Sequence, residues 1–493
     1  MTPLVEPVLK ISQLVSRVSA NTVLRVSDLT IGLGQHWVIY GQNGSGKSLL
    51  AAYLLGQLPL GRHRLWQAPT LKGRIACVSF DEQQQLTAAD RRHDISEYSV
   101  SAHDEGTRVC DLLSLTGTPG NDQKHLISAL GIDDLLEQGI RFLSSGQLRR
   151  VMIARAISLK PVVLILDSPL DSIDAVSAAT IQMTLTNWMG PDKALIELSR
   201  SIDESVPGCT HMALMSDCEV VATGSFTDIH RSSQLRELSG AVLPAPMPIP
   251  EPDAETSMHT PDEVIRLAGV SASYGTKLVI DRLDWLVRRG QHVLIEGPNG
   301  CGKSTLLSIL TGENNFAYGQ SIWLFGQPWG SGQSVWDIKK HFGVVSNHLH
   351  LSYGKGWSVL DVVCSGFADT MGFYGQRRAS QQRLANAWLS AVHSQHLADS
   401  AFDQLSFGQQ KLILLARSLV KTPPLLILDE PLVGLDDYHR RLLLSLLARI
   451  AQQNHTQLLY VSHTVNERPA FLNRRLTYLG AGRWQSADLK PQV

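Results

Sequence analysis

Two short segments of the chain combine glycines with a lysine and a hydroxyl side chain in a pattern that suits phosphate. GQNGSGKS covers residues 41–48, and GPNGCGKST covers residues 297–305. Both match Gly-x-x-x-x-Gly-Lys-Ser, whose glycines let backbone N–H groups surround phosphates. Each segment follows a short apolar run and precedes a helical one, so the helix N-terminus adds a favourable dipole. The two segments therefore predict two phosphate-binding loops (P-loops) for a nucleotide.

Different side chains of these loops have different expected tasks. Lys47 and Lys303 should reach the β- and γ-phosphates, and Ser48 and Ser304 should ligate Mg²⁺. The alternative is a glycine-rich turn that binds nothing, and a second copy in matched context argues against it. The residues expected to bind nucleotide are Gly41, Gln42, Asn43, Gly44, Ser45, Gly46, Lys47, Ser48, Gly297, Pro298, Asn299, Gly300, Cys301, Gly302, Lys303, Ser304 and Thr305.

Two carboxylates extend the predicted metal site. VVLILD ends at Asp167 and LLILD ends at Asp429, and each apolar run is typical of a buried strand. A carboxylate at the end of such a strand is costly without a partner. We therefore expect both to hold Mg²⁺, directly or through water. Capping of a following helix is the alternative.

The chain repeats its elements in the same order. LSSGQ at 143–147 returns as LSFGQ at 405–409, between P-loop and carboxylate each time. The leucine lies 24 residues before the carboxylate in both copies, from 143 to 167 and from 405 to 429. Three ordered elements that occur twice indicate a duplicated α/β domain. The stretch between P-loop and LSxGQ leaves room for a smaller, largely helical subdomain.

Length and composition agree with two globular domains. The chain has 493 residues, more than one ordinary core holds, with 43% hydrophobic and 18% charged residues. Six prolines fall within residues 239–262, which indicates a semi-extended linker. We predict a first domain at 1–238, this linker, and a second domain at 263–493.

Charge and cysteine usage exclude several classes of protein. The net charge of −1 gives no electrostatic case for nucleic acid or an anionic membrane. The N-terminus lacks the pattern of a secretion signal, and no run approaches the ~20 apolar residues of a membrane span. The six cysteines form no C-x-x-C pair, which favours reduced thiols over a zinc module or disulfides. We expect a cytoplasmic protein, with peripheral attachment at the inner face of the membrane left open.

With LSSGQ and LSFGQ beside both P-loops, the chain resembles the ATP-binding-cassette (ABC) superfamily. This resemblance implies two P-loop NTPase cassettes in tandem, each with a RecA-like core and a helical subdomain, and it implies ATP hydrolysis with Mg²⁺. In that family each nucleotide lies between the P-loop of one cassette and the signature serine of the other. Carried over, Ser406 and Gly408 would serve the first P-loop, and Ser144 and Gly146 the second. Each signature serine is also a candidate helix N-cap.

The resemblance also implies that the two sites are unequal. The residue after the carboxylate, which polarises the attacking water in the family, is Glu430 in the second copy and Ser168 in the first. The switch histidine of the family matches His463, where the first copy has Arg200. Tyr274 is placed like the aromatic residue that stacks on adenine. We therefore expect catalysis at the second P-loop, by Glu430, His463 and Lys303.

Further positions carry weaker predictions. The loop glutamine that senses the γ-phosphate in the family matches Gln83, while the second copy has Asn347 there. His348 and His350 could share a strand face and bind a metal, with a hydrogen-bonded histidine cluster as the alternative. Cys301 lies within the second P-loop, where we expect it to be exposed to thiol reagents.

At a finer level the chain is similar to the tandem ATP-binding proteins associated with molybdate uptake. The grounds are the short proline-rich linker, the degenerate first and intact second carboxylate motif, and WDIKKHFGVVSNHLHL with LSYGKGWSVLDVVCSG after it. This similarity implies a subunit that energises or regulates molybdate transport with a separate membrane permease. The alternatives are a tandem ABC ATPase that acts on the ribosome, and one that acts in DNA repair or regulation.

Overall fold

A computed structural model describes most of the chain, and all statements about structure below concern that part. The described residues are 7–18, 22–58, 65–68, 71, 73–92, 106–114, 120–171, 173, 175–203, 205–251, 261–274, 277–298, 300–332, 334–346, 349–350, 353, 356–373, 375–462 and 468–489.

The chain divides into two compact units. The first comprises residues 1–242 with 436–438, and the second comprises residues 243–435 with 439–493. Each unit carries one P-loop, one carboxylate-ended strand and one LSxGQ segment. Each copy of the repeat therefore belongs to its own compact unit.

The strands of the first unit form one sheet with the order β4-β1-β2-β9-β8-β3-β7-β6-β5. Their bounds are β1 Pro7–Arg17, β2 Val23–Gly32, β3 His36–Gly41, β4 Leu65–Gln67, β5 Ile75–Val78, β6 Val163–Asp167, β7 Ala194–Ser199, β8 His211–Ser216 and β9 Glu219–Ser225.

The strands of the second unit form two sheets, with the orders β11-β10-β13-β14 and β15-β16-β17-β12-β18-β19. Their bounds are β10 Glu263–Tyr274, β11 Lys277–Arg288, β12 Val293–Glu296, β13 Ser321–Leu324, β14 Gln327–Pro328, β15 Phe342–Val345, β16 Leu425–Asp429, β17 Gln457–Ser462, β18 Arg474–Gly480 and β19 Arg483–Asp488.

The helices connect these strands. Their bounds are α1 Lys47–Leu54, α2 Phe80–Arg92, α3 Val109–Leu112, α4 Asn121–Ala129, α5 Ser145–Ser158, α6 Ala175–Trp188, α7 Phe226–His230, α8 Ser233–Leu238, α9 Lys303–Thr311, α10 Val335–Lys339, α11 Val359–Cys364, α12 Ala379–Ala391, α13 Phe407–Leu419 and α14 Asp437–Gln453.

The central strands are parallel and buried on both faces. Every residue of β3, HWVIYG, is buried, and β6 and β7 pair with each other in parallel, with β3 next to β7. Such strands read as continuous apolar runs because helices cover both faces of a parallel sheet. In this order the P-loop after β3 and the carboxylate that ends β6 lie at the same edge of the sheet, with the end of β7 between them.

The second unit repeats that arrangement. The order β15-β16-β17-β12 corresponds to β5-β6-β7-β3, and the parallel pairs β16–β17 and β12–β17 take the same places. Apolar side chains of β12, β16, β17 and α9 fill one core. Among the described residues, no helix is both long and apolar enough to cross a membrane.

Candidate functional site

The first P-loop joins β3 to α1 through glycines that no other residue could easily replace. Gly44 and Gly46 have φ angles of 81° and 94°, in the left-handed region that disfavours side chains. A Cβ atom on Gly46 would lie 2.9 Å from the Cα atom of Cys218. The loop therefore packs closely against Cys218 where it enters α1, whose N-terminus favours a phosphate.

Lys47 lies inside this loop. Its Nζ donates to the carbonyl oxygens of Gly41, at 2.7 Å, and Gln42, at 2.9 Å, and to the Ser45 hydroxyl at 3.3 Å. Burial lowers the pKa of Lys47 to about 8. The ammonium is thus held within the loop by neutral acceptors, which a phosphate anion would outcompete as a partner.

The second P-loop has the same form. Lys303 donates to the carbonyl oxygens of Gly297, at 2.7 Å, and Pro298, at 3.2 Å. Gly302 has a φ angle of 107°, and a Cβ atom there would lie 2.6 Å from Cγ1 of Val279. Over their described residues, the two loops therefore share the positive φ angles of their glycines and the contacts of their lysine.

Cys301 is buried, whereas its position in the loop predicts an exposed thiol. The side chain is buried, with 5% exposure, and a Cβ atom on Gly297 would lie 2.7 Å from its Sγ atom. Burial also raises the pKa of this thiol. The expected exposure to thiol reagents is wrong, because Cys301 packs under the loop as the matching Ser45 does.

Oxygen ligands suited to Mg²⁺ lie beside the first P-loop. The Ser48 hydroxyl donates to Oδ2 of Asp167 at 3.2 Å, so the two predicted metal ligands are adjacent. A hydroxyl and a carboxylate are the donor types that Mg²⁺ takes beside a phosphate. These residues fit the ion.

Ser304 and Asp429 take the matching places at the start of α9 and the end of β16. Burial, followed by repulsion from Glu430, raises the pKa of Asp429 to about 6. A cation at this position would relieve both effects, so the second pair fits Mg²⁺ as well.

The residue after each carboxylate has the same backbone but a different side chain. Ser168 and Glu430 have φ angles of 46° and 50°, which are uncommon for residues other than glycine. Their backbone N–H groups donate to Leu198, at 2.9 Å, and Val461, at 3.1 Å. The fold thus presents position 168 as it presents position 430, and only the second copy places a carboxylate there.

A buried cation lies beneath each of these turns, and the predictions from the sequence do not include it. Nη1 of Arg149 donates to the Asp167 carbonyl at 3.3 Å. Nζ of Lys411 donates to the carbonyls of Glu430, Pro431 and Val433, at 3.2, 3.1 and 2.6 Å. Arg149 and Lys411 each lie two residues after an LSxGQ segment. A basic residue at the same position of both copies is the sequence feature that could have predicted these contacts.

Arg200, at the position of the switch histidine, forms an ion pair with Asp171. Asp171 follows β6 in the first copy, where the second copy has Val433. Both partners are largely buried, at 18% and 19% side-chain exposure. The first copy therefore has a carboxylate and a guanidinium where the second copy has Val433 and His463.

The signature serines are helix N-caps in both copies. The Ser144 hydroxyl accepts from the Gln147 backbone N–H at 3.2 Å, and the Ser406 hydroxyl accepts from that of Gln409 at 3.4 Å. The Oε1 atom of each glutamine in turn accepts from the backbone N–H of the serine, which completes a capping box.

The glycines of the signatures are buried. Gly146 lies within α5, and a Cβ atom on Gly408 would lie 2.5 Å from the His439 ring. The roles of Ser144, Gly146, Ser406 and Gly408 toward nucleotide stay predictions.

Gln83 lies on helix α2 rather than in a loop. Its side chain is 8% exposed, and its Oε1 atom has no hydrogen-bond partner among the described residues. The expected loop is a helix here, because α2 begins two residues after β5 ends. Its role as a phosphate sensor stays a prediction.

His350 is hydrogen-bonded rather than open to a metal. Its Nε2 atom pairs with Oε1 of Gln410, and its ring stacks on Phe407 at a centroid distance of 4.5 Å. Burial lowers its pKa. Among the described residues there is no cluster that could hold a metal ion through histidine, cysteine and acidic groups alone.

Several predicted residues lie outside the described part of the chain. These are Asn299, Asn347, His348, His463 and the side chain of Tyr274. Their assignments stay predictions.

Comparisons with known proteins identify the family of both cassettes. The family model described as ABC transporter matches residues 24–171 and again residues 280–433. The ABC transporter ATP-binding protein ModF of Escherichia coli (strain K12) is 33% identical over 480 residues, which cover 96% of this chain and 97% of that protein. An uncharacterized ABC transporter ATP-binding protein of Schizosaccharomyces pombe is 24% identical over 466 residues, 90% of this chain and 91% of that protein.

Solved structures share the tandem fold. The archaeal ribosome recycling factor aABCE1, in complex with the stalk protein aP1, gives a TM-score of 0.58 at 18% identity over 96% of this chain and 89% of that chain. RNase-L Inhibitor gives 0.58 at 18% identity over 97% and 90%. These likenesses show the fold alone. Since the family model matches more than half of the sequence, the chain belongs to the ABC transporter ATP-binding family, as a tandem of two cassettes of the type that hydrolyses ATP with Mg²⁺.

Proposed function

We propose that the second P-loop hydrolyses ATP while the first retains it. The observation that carries this proposal is the pair Glu430 and Ser168, which occupy the same backbone conformation after Asp429 and Asp167. A carboxylate can accept the proton of an attacking water, whereas a serine hydroxyl cannot at neutral pH. Both copies thus keep the groups that bind nucleotide, and only the second copy keeps the base.

The residues of the second site divide the reaction between them. Lys303 binds phosphate oxygens from within the loop, and Ser304 and Asp429 hold the metal. Mg²⁺ supplies positive charge to the phosphates when it is bound with ATP. Glu430 orients the attacking water and takes its proton. Loss of such a base typically costs about 10²–10⁴ in rate.

The first site keeps what retention requires. Gly41, Gly46, Lys47 and Ser48 form a complete P-loop, and Ser48 bonds to Asp167 at 3.2 Å. Without a base beside Asp167, bound ATP would turn over slowly. Its free energy of binding would instead order the surrounding loops.

Matched lysine variants test this division. Lys303→Ala should abolish steady-state turnover and keep one slowly exchanging nucleotide per chain. Lys47→Ala should lose that nucleotide and lower turnover only in part. Nucleotide that remains after extensive washing is counted by chromatography of the denatured protein. A wild-type protein without retained nucleotide, together with normal turnover of Lys47→Ala, would show that the first site is vestigial.

For the cellular role, we propose that the chain energises or regulates molybdate transport from the cytoplasm, with a separate permease. Its support is the 33% identity to ModF over nearly the full length of both proteins. Co-purification of the tagged chain from its own host tests the proposal. Recovery of a membrane permease would support it. Recovery of ribosomes, or of neither, would oppose it.

A further inference from the structure

A cavity of about 420 Å³ lies in the first unit, at the amino edge of its sheet. It is formed by the starts of β3 and β7, by the end of α6 and by the segment that leads into β8. The P-loop follows the opposite end of β3, so this cavity is separate from the nucleotide site. Pro207 and Gly208 line the cavity and are exposed, so a ligand can enter it from solvent.

The walls of this cavity are mostly apolar. The side chains of Leu185, Met189, Leu195 and Val206 line it. The described residues of the lining include no lysine, arginine, aspartate or glutamate, and His36 is their titratable member. Cavities of this size, with apolar walls and a few polar groups, are typical of sites for small organic molecules.

A buried carboxylate lies behind His36. Glu197 follows Leu195 by two residues in β7, so the two side chains point to the same face of the sheet. Its Oε2 atom accepts from the backbone N–H of Val206 at 3.0 Å and lies 3.4 Å from Nε2 of His36. Since His36 and Val206 both line the cavity, the carboxylate is separated from it by one contact.

Two polar atoms of this pair have no hydrogen-bond partner among the described residues. They are Oε1 of Glu197 and Nε2 of His36, and both are buried. The residues themselves are 1% and 3% exposed. A carboxylate buried this deeply is costly without a positive charge and hydrogen bonds, and a neutral imidazole also offers one acceptor nitrogen. A cationic donor that reached both atoms would therefore recover free energy.

The second copy keeps the histidine without the carboxylate or the cavity. His292 matches His36, and its Nδ1 atom accepts from the backbone N–H of Leu458 at 3.1 Å. By strand register, Tyr460 takes the place of Glu197. The cavity beside His292 has a volume of about 10 Å³, which holds one water molecule at most. The carboxylate and the larger cavity therefore occur together, in one copy.

We propose that this cavity binds a small organic amine. The apolar body of the amine fills the volume between α6 and β7, and its ammonium group donates to His36 and Glu197. In this complex His36 is the neutral imidazole, and the ammonium supplies the positive charge beside the carboxylate. An anion is excluded by the charge of Glu197, and an uncharged alcohol leaves that charge unmatched.

The competing explanation is a structural ion pair, in which a protonated His36 already balances Glu197. In that case an amine would bind no better than an alcohol of the same shape, because the carboxylate would have its cation. Probes that differ only in their polar group separate the two explanations. Benzylamine, benzyl alcohol and benzoate carry a positive, a neutral and a negative group on the same apolar ring.

The experiment measures binding of these three probes to the full chain at neutral pH by saturation-transfer NMR titration. Excess ADP with Mg²⁺ keeps the probes out of the P-loops. Benzylamine should bind with a dissociation constant of about 0.1–1 mM, at least about tenfold more tightly than benzyl alcohol, and benzoate should not bind. A preference for benzylamine below about threefold would overturn the inference.

Glu197→Gln keeps the shape of the side chain and removes its charge. It should weaken benzylamine binding about 10- to 100-fold, as loss of a charged hydrogen bond does, and change benzyl alcohol binding by less than about threefold. Tyr460→Phe, at the matching position of the second copy, is the control that should leave benzylamine affinity unchanged. Equal benzylamine affinity in Glu197→Gln and the wild type would place the amine elsewhere and overturn the inference.

Met189→Trp tests the location without altering the polar pair. The larger side chain should fill part of the cavity and abolish binding of benzylamine and benzyl alcohol alike. If Glu197→Gln does not fold, as judged by circular dichroism, Met189→Trp decides. Benzylamine binding that persists in a folded Met189→Trp protein would show that the cavity is not its site.

Discussion

The carboxyl edge of β6 and that of β16 have the same architecture and different chemistry. Each strand ends in an aspartate, each is followed by a residue with a φ angle near 50°, and each has a buried cation beneath the turn. The first edge presents Ser168, Arg149 and Arg200. The second presents Glu430 and Lys411 at the first two of these positions.

The comparison separates the requirements of binding from those of hydrolysis. The left-handed backbone at position 168 persists although no catalytic side chain uses it, because its N–H group still bonds to Leu198 in the sheet. The strained backbone belongs to the fold. Only the side chain at this position belongs to the reaction, and it differs between the copies.

The largest expected effect is that of Glu430→Gln. It should lower steady-state ATP hydrolysis by about 10²–10⁴-fold, because the amide cannot accept the proton of the attacking water. ATP should remain bound. A phosphate-release assay measures the rate, and Ser168→Ala, the matched position, is the control that should stay within about twofold. Hydrolysis by Glu430→Gln within a few-fold of wild type would remove the basis of the comparison.

Asp429→Asn should have a smaller effect, on stability. The pKa of Asp429 is raised from 3.8 to about 6 by burial and then by Glu430, so its ionisation disfavours the folded state. The penalty grows as the pH rises through this range and is complete above it. Without Mg²⁺ and nucleotide, Asn at 429 should therefore stabilise the chain at pH 8 by roughly 1–3 kcal/mol.

Thermal unfolding in EDTA at pH 8 and at pH 4 measures this difference. The gain should be present at pH 8 and nearly absent at pH 4, where Asp429 is protonated in the wild type. Equal stabilisation at both pH values would assign the effect to packing instead of charge.

The smallest effects should come from the helix caps, where the copies are alike. Ser144→Ala and Ser406→Ala should each destabilise by about 1 kcal/mol, because each hydroxyl accepts from a backbone N–H at the start of its helix. Ser144→Gly and Ser406→Gly, which leave the helix N-terminus open to water, should cost only a few tenths of a kcal/mol. Midpoints of urea unfolding measure these changes.

A much larger loss in one copy would show that its signature serine has a structural role beyond the cap. The copies would then differ where their sequences and their capping boxes agree.

The sequence alone determined the two cassettes, their P-loops and the carboxylate of each. These features are local: a few consecutive residues set the loop, and one apolar run followed by aspartate sets the strand and its ligand. The capping boxes are equally local, since Ser144 and Gln147 lie three residues apart. The sequence also identifies Glu430 and Ser168 as matching positions, because each directly follows the aspartate that ends its strand. The difference between a carboxylate and a hydroxyl is then visible from the residue types.

Tertiary structure decided what depends on residues far apart in the chain. Arg200 meets Asp171 across 29 positions, from 171 to 200, and Arg149 meets the Asp167 carbonyl from a different helix. Neither pair can be predicted from sequence periodicity. Such patterns indicate which face of an element is buried, but they do not indicate which residue it contacts there. The burial of Cys301 and the helix at Gln83 were likewise set by packing. In each case neighbouring elements determine how the residue is buried and packed, and the residue type alone does not predict it.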